Sequence, residues 1–221
     1  MDYILDGLAQ ALRLLLAGDP ETLSALWATA VSSSLSMAAS LLLGLPLGFW
    51  LGHADFRGKR LARTVVDTGL ALPTVFIGLV VYAFLSRRGP LGHWGLLFTL
   101  PGLAIGQAIL ALPVVVALTA QAVEALDQRL GQTLLTLGAS RRQAALTTMW
   151  EARQGLLAAA VNAYGRVVTE VGIAMMVGGN IKWDTRTLTT AIALETGKGE
   201  FAQGIALGMV LLAFALLVNL C

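Results

Sequence analysis

Between Thr22 and Gly52 the chain carries no charged residue at all. A bilayer-spanning helix needs about 20 mostly apolar residues, so this run alone is long enough to cross. Four further apolar runs follow, at about Thr68–Ser86, within Leu96–Val123, at about Gly155–Gly179 and at Phe201–Cys221. Over all 221 residues, 57% are hydrophobic, 13% are charged and the mean hydropathy is +0.76. Soluble domains carry about 25% charged residues and have no means of hiding this much apolar surface. The expectation is an all-α membrane protein with about five transmembrane helices, forming a single transmembrane domain over residues 1–221.

The first 18 residues, MDYILDGLAQALRLLLAG, are not a signal peptide, because Asp2 and Asp6 stand where Lys or Arg belongs. Their apolar positions fall at helical spacing, which predicts an interfacial helix lying on the membrane. The alternative is simply the start of the first span. Asp19-Pro20 punctuates before the apolar run and favours the surface helix. Net charge is +2, so nucleic acid is not an expected partner. The single cysteine, Cys221, allows no internal disulfide and no cysteine cluster for a metal.

Direction follows from the basic residues. Arg57, Lys59, Arg60 and Arg63 precede the second run, while Arg129, Arg141, Arg142 and Arg153 lie between the third and fourth. The positive-inside rule makes both segments cytoplasmic, with the N-terminus outside and the C-terminus inside. Trp27, Trp94 and Trp183 then fall at outer span ends, and Trp50 and Trp150 at inner ends. Pro46, Pro73 and Pro113 sit inside the apolar runs, where small residues are also dense. Close helix packing and kinks at a moving pathway both explain them.

The break at about residues 124–153 is too polar to span. Glu124–Leu137 has helical character, and Gly138 suits a helix end. Ser140-Arg141-Arg142-Gln143 fits a capping box, with Ser140 as the cap and Gln143 three positions on. The segment therefore reads helix, tight turn, helix: either a docking knob or a linker that avoids the bilayer. In the fourth run, Arg166 and Glu170 are four residues apart, which puts both on one face of a continuous helix. They read either as an internal ion pair or as charge along an anion pathway.

Gly138-Ala139-Ser140-Arg141-Arg142-Gln143, six residues after Gln132, resembles the EAA-x-x-x-G loop of ABC importer permeases. That resemblance implies a coupling helix seated on an ATPase subunit. Gln132-Thr133-Leu134 stands where the family has Glu-Ala-Ala, and Trp150-Glu151 where it has Leu-Pro, so the family glutamate's contacts are not carried over to Gln132. The stretch Arg166-Val-Val-Thr-Glu170-Val-Gly172, running on to Asn180, is similar to molybdate-type oxyanion permeases. The run from Asn180 to Phe201, with Asp2-Tyr-Ile-Leu, Gly18-Asp-Pro-Glu21 and Arg88-Gly-Pro-Leu-Gly92, is similar to the tungstate permease branch.

The resemblance implies a type I importer-like permease fold working as a homodimer. It implies a cytoplasmic ATPase dimer as partner, ATP and Mg being bound there and no cofactor in this chain. It also implies an extracytoplasmic oxyanion-binding protein, and a pathway or gate near Arg166, Glu170, Gly172 and Asn180. Tungstate is the implied cargo, with molybdate next, and the setting is a multi-pass protein of the inner (plasma) membrane. Residues Thr187–Thr196 are expected to form a short helix outside the membrane, with Lys182, Arg186 and Lys198 either meeting an acidic partner or solubilising the loop. No G-x-x-x-x-G-K-[ST] loop is present, so ATP hydrolysis is expected in a separate subunit. No HExxH or G-x-S-x-G occurs, and His53 and His93 read as interface histidines, so an enzyme is not expected. The alternative class is a secondary anion transporter or channel with no ATPase partner.

Overall fold

The computed structural model describes Gly7, Ala9, residues 18–127 and residues 129–220, without the side chains of residues 129, 131 and 132. The expected N-terminal surface helix, apart from Gly7, Ala9 and Gly18, lies outside the described residues, as does Cys221. Every regular element among the described residues is helical.

The first run is one helix, α1, Pro20–His53. The Asp19 carboxylate caps it, accepting from the Thr22 backbone N–H at 2.8 Å and the Thr22 hydroxyl at 2.7 Å. Pro20 takes the first helical position, where a missing N–H costs nothing.

The second run is interrupted by a break near its start. α2 covers Lys59–Leu70 and α3 covers Thr74–Leu85. Pro73 is the cause: it has no N–H to donate and forces Leu72 out of helical geometry. Lys59, Arg60 and Arg63, expected in a loop, stand on α2.

The third run is α4, Leu100–Glu124, continuous through Pro113. α5, Arg129–Thr136, and α6, Arg141–Glu151, form the polar break.

The fourth run is also divided. α7, Arg153–Val168, ends before a short non-helical stretch, and a tight helical turn with π geometry at Ala174–Gly178 follows. α8, Leu188–Gly197, lies close to the expected position, capped by Thr187. α9, Phe201–Leu220, completes the chain. Among the described residues, three helices, α1, α4 and α9, are individually long and apolar enough to cross a membrane, and α2 with α3 makes a fourth if the pair is one broken span.

The chain forms two compact units. In the first (Met1–Ser36, Pro73–Ala108, Gly165–Cys221), α8 and α9 pack as a pair on the start of α1. Ala25, Leu188, Ala191, Leu207 and Val210 form its buried cluster. Ile173, fully buried, lies against two glycines: a Cβ at Gly106 would stand 2.5 Å from its Cγ2, and one at Gly78 would stand 3.2 Å from its Cα. In the second unit (Met37–Leu72, Ile109–Tyr164), Leu51, Val116 and Ala120 form a core covered by Phe56, Ala62, Val66 and Leu112.

Gly44, Gly48 and Gly52, spaced every four residues on α1, let its backbone meet α4 directly. A Cβ at Gly48 would fall 2.6 Å from the Thr119 Cβ and 2.7 Å from the Val116 carbonyl oxygen. Gly48→Val should therefore cost about 1–3 kcal/mol through overpacking. Thermal unfolding in detergent, followed by tryptophan fluorescence, measures it. Gly208→Ala, with no atom within 4 Å of the added Cβ, should leave the midpoint unchanged or raise it.

Candidate functional site

Two places carry the residues singled out by the sequence. The first, in the second unit, is the turn between α5 and α6. The Ala139 N–H reaches the Leu134 carbonyl at 3.0 Å and the Gly138 N–H reaches Leu135 at 3.1 Å, which is the Schellman pattern of a helix end. Gly138 has φ +88°, a left-handed value that suits glycine. Ser140 and Gln143 then form the capping box: the Gln143 N–H donates to Ser140 Oγ at 3.3 Å, and the Ser140 N–H to Gln143 Oε1 at 2.8 Å. Ala144 and Thr148, four residues apart, are the buried side of α6. Gly138, Ser140, Arg141, Arg142 and Gln143 are exposed and Ala139 is half-buried. Leu137, at the same turn, is 78% exposed.

The base of this segment is fastened by charge. Glu124, at the end of α4, accepts from Arg63 and lies 3.5 Å from Lys59, which also lies 3.6 Å from Asp55. His53, Asp55, Lys59, Glu124, Asp127 and Thr148 are among the residues lining a cleft of about 510 Å³ there.

The second place, in the first unit, is the break after α7. Because the helix stops at Val168, Arg166 and Glu170 do not share a continuous helical face, which corrects the spacing expected of them. Arg166 is exposed on the last turn of α7, while Glu170 is buried. The Glu170 carboxylate caps the next turn, accepting from the Ile173 N–H at 3.0 Å. The Thr189 hydroxyl donates to the Glu170 carbonyl at 2.8 Å. Gly172 sits tightly inside this corner: a Cβ there would meet Thr74 Oγ1 at 3.0 Å and Glu170 Oε1 at 3.2 Å. At the far end of the turn, the Thr185 hydroxyl donates to the Gly178 carbonyl and the Phe98 N–H to the Val177 carbonyl.

Asn180 lies in the loop beyond. Its φ is +51°, Trp183 has +71° and Gly179 has +73°, so the loop folds back sharply. Arg186 fixes it, donating from Nε to Asn180 Oδ1 at 3.1 Å and pairing with Glu21 at 2.5 Å. Lys182 takes the other Glu21 oxygen at 2.6 Å, and Lys198 pairs with Glu195 at 2.7 Å. Glu21, Glu124 and Thr189 were not readable as partners, since each joins positions far apart in sequence. The only local hint was a Thr-rich stretch from Thr185 to Thr190.

The family model of the "binding-protein-dependent transport system inner membrane component" matches residues 44–221. The chain is 50% identical over 219 residues to a tungstate uptake system permease protein, TupB, of Campylobacter jejuni, covering 99% of this chain and 92% of that one. It is 36% identical to TupB of Peptoclostridium acidaminophilum over 99% of this chain and 96% of that protein. It is 32% identical to a molybdenum transport system permease protein, ModB, of Azotobacter vinelandii over 90% and 92% of the two chains.

Glu170→Ala should remove the cap on the broken turn and cost about 1–2 kcal/mol, whereas Glu170→Gln keeps the accepting oxygen and most of the stability. Thermal unfolding of both variants beside the parent compares them directly. Ser140→Ala should speed amide hydrogen exchange at Gln143 without shifting the global midpoint, because the cap is exposed and local.

Proposed function

The chain belongs to the binding-protein-dependent transport system inner membrane components, and on that premise we propose that it is the membrane half of an ATP-driven importer for tungstate. Likeness to a tungstate uptake permease along nearly the whole chain carries this reading. Molybdate is the next cargo, by likeness to a molybdenum transport permease. The chain itself is a transport subunit. Two copies would form the pathway, a dimeric ATPase holding ATP and Mg would drive it, and an extracytoplasmic binding protein would deliver the anion. One transmembrane permease domain spans residues 1–221, in the inner (plasma) membrane. The distribution of Lys and Arg supports an N-terminus outside and a C-terminus in the cytoplasm.

The turn at Gly138–Gln143 is the ATPase-coupling element on this reading. What supports it is its construction: a helix end, a left-handed glycine and a capped helix start hold Arg141 and Arg142 outward, beside exposed Leu137. ATP-driven closure of the partner would pull these knobs and shift the spans between two states.

Arg166, Glu170, Gly172 and Asn180 take different parts in the pathway or gate. Arg166 is an exposed cation on the last turn of α7, which suits it to meet a passing anion. Glu170 already fills the amide site at the start of the broken turn, so an anion is not trapped there. Gly172 gives the corner its room, and Asn180 shapes the loop that follows.

Arg142→Glu should weaken co-purification with the cognate ATPase about tenfold, the effect of losing a charge-assisted contact in a docking site. Intact assembly with intact transport would remove that residue from the interface. Arg166→Met should lower the rate of anion uptake by more than any shift in the unfolding midpoint accounts for. Unchanged uptake kinetics with reduced stability would assign Arg166 a structural role alone.

A further inference from the structure

We propose that the turn joining α1 to α2 is a binding site for the headgroup of an anionic phospholipid, held by Arg57 and Arg60. The observations all lie within the second unit.

The C-terminal half of α1 presents Leu42, Leu43 and Leu47 outward in one stripe, all strongly exposed. Trp50 continues that stripe and is itself exposed. Its ring stacks on Phe56, with centroids 4.3 Å apart, and Phe56 in turn packs on the Leu51–Val116–Ala120 core. An outward leucine stripe ending in tryptophan marks where hydrocarbon gives way to headgroups. Arg57 is the residue after Phe56, so it stands at headgroup level.

The basic residues here divide by partner. Lys59 and Arg63 are neutralised by Glu124, with Asp55 also beside Lys59. Arg57 and Arg60 are exposed and make no ion pair or side-chain hydrogen bond among the described residues. Asp67, the one acid on α2, is seven residues from Arg60, about 10 Å along the helix.

α2 has two distinct faces. Ala62 and Val66 pack on the core, while Arg60, Leu61, Thr64, Val65, Asp67 and Thr68 are exposed, with Asp67 toward the end away from Arg60. Leu61 is 69% exposed and Val65 63%. Two unpaired guanidiniums suit a phosphate oxygen pair, and the adjoining Leu61 and Val65 suit the start of an acyl chain. Free phosphate explains the arginines but not the apolar flank. A protein partner explains α2 but not its continuity with the outward leucine stripe of α1.

Native mass spectrometry of the full chain in detergent, with added phosphatidylglycerol or phosphatidylcholine, tests the site. In the Arg57→Gln/Arg60→Gln variant, phosphatidylglycerol affinity should fall about fivefold per arginine, the equivalent of about 1 kcal/mol each. Phosphatidylcholine retention should not change, and Arg87→Gln/Arg88→Gln should lose nothing. On the unsubstituted chain, brominated phosphatidylglycerol should quench tryptophan fluorescence more than brominated phosphatidylcholine does, and Trp50→Phe should reduce that difference. The site is overturned if the double variant holds phosphatidylglycerol like its parent, or loses both lipids equally. It is also overturned if inorganic phosphate displaces the lipid, or if the variant loses the ATPase while keeping phosphatidylglycerol. None of these outcomes depends on which anion the chain transports.

Discussion

A buried backbone N–H or C=O left unpaired costs about as much as a lost hydrogen bond, and the broken fourth run is arranged around that cost. Where α7 stops, the Glu170 carboxylate takes the Ile173 N–H and the Thr189 hydroxyl takes the Glu170 carbonyl. Where the following turn stops, the Thr185 hydroxyl takes the Gly178 carbonyl. Irregular backbone is tolerated at membrane depth when neighbouring side chains satisfy it in this way. The same bonds explain why Glu170 is buried without being a misplaced surface charge. A break held by a few side-chain bonds also reorganises more readily than an unbroken helix, which suits the gate proposed there.

Packing and charge then hold the rest in place by different means. Between apolar helices in lipid there is little hydrophobic drive, so close approach matters. Gly44, Gly48 and Gly52 supply it against α4, and Gly78 and Gly106 supply it around Ile173. Charge is spent at helix ends. Glu124 gathers Arg63 and Lys59 at the base of the α5–α6 segment, and Glu21 gathers Lys182 and Arg186 at the start of α1. Glu124 ties α2 to the end of α4 and Glu21 ties the Lys182–Arg186 loop to the start of α1, while Arg57, Arg60 and Arg142 stay exposed.

The sequence revealed best what depends on neighbouring residues. The α1 run, the Ser140–Gln143 box, the Gly138 helix end and the short helix after Thr187 all rest on local periodicity or capping, and all four appear. The divided runs were missed because hydropathy is blind to a change of direction. Leu72-Pro73 held the clue for the second, since proline disfavours helix both at itself and before itself. The fourth offered only Gly172, and its break depends on Thr189, nineteen residues away. Consequently the spacing of Arg166 and Glu170 suggested a shared face that the fold does not provide. The Glu21 and Glu124 clusters were hidden for the same reason, as their partners meet only in three dimensions.

An exposed, capped turn, several long apolar helices and a likeness to tungstate uptake permeases along nearly the whole chain fit the proposal of transport driven by a separate ATPase. Tungstate uptake into proteoliposomes containing the chain, its cognate ATPase and its binding protein tests this most directly. Accumulation against a gradient that requires ATP and the binding protein is the predicted result. Equal tungstate movement without nucleotide, running only down its gradient, would contradict it and make the chain a secondary transporter or channel.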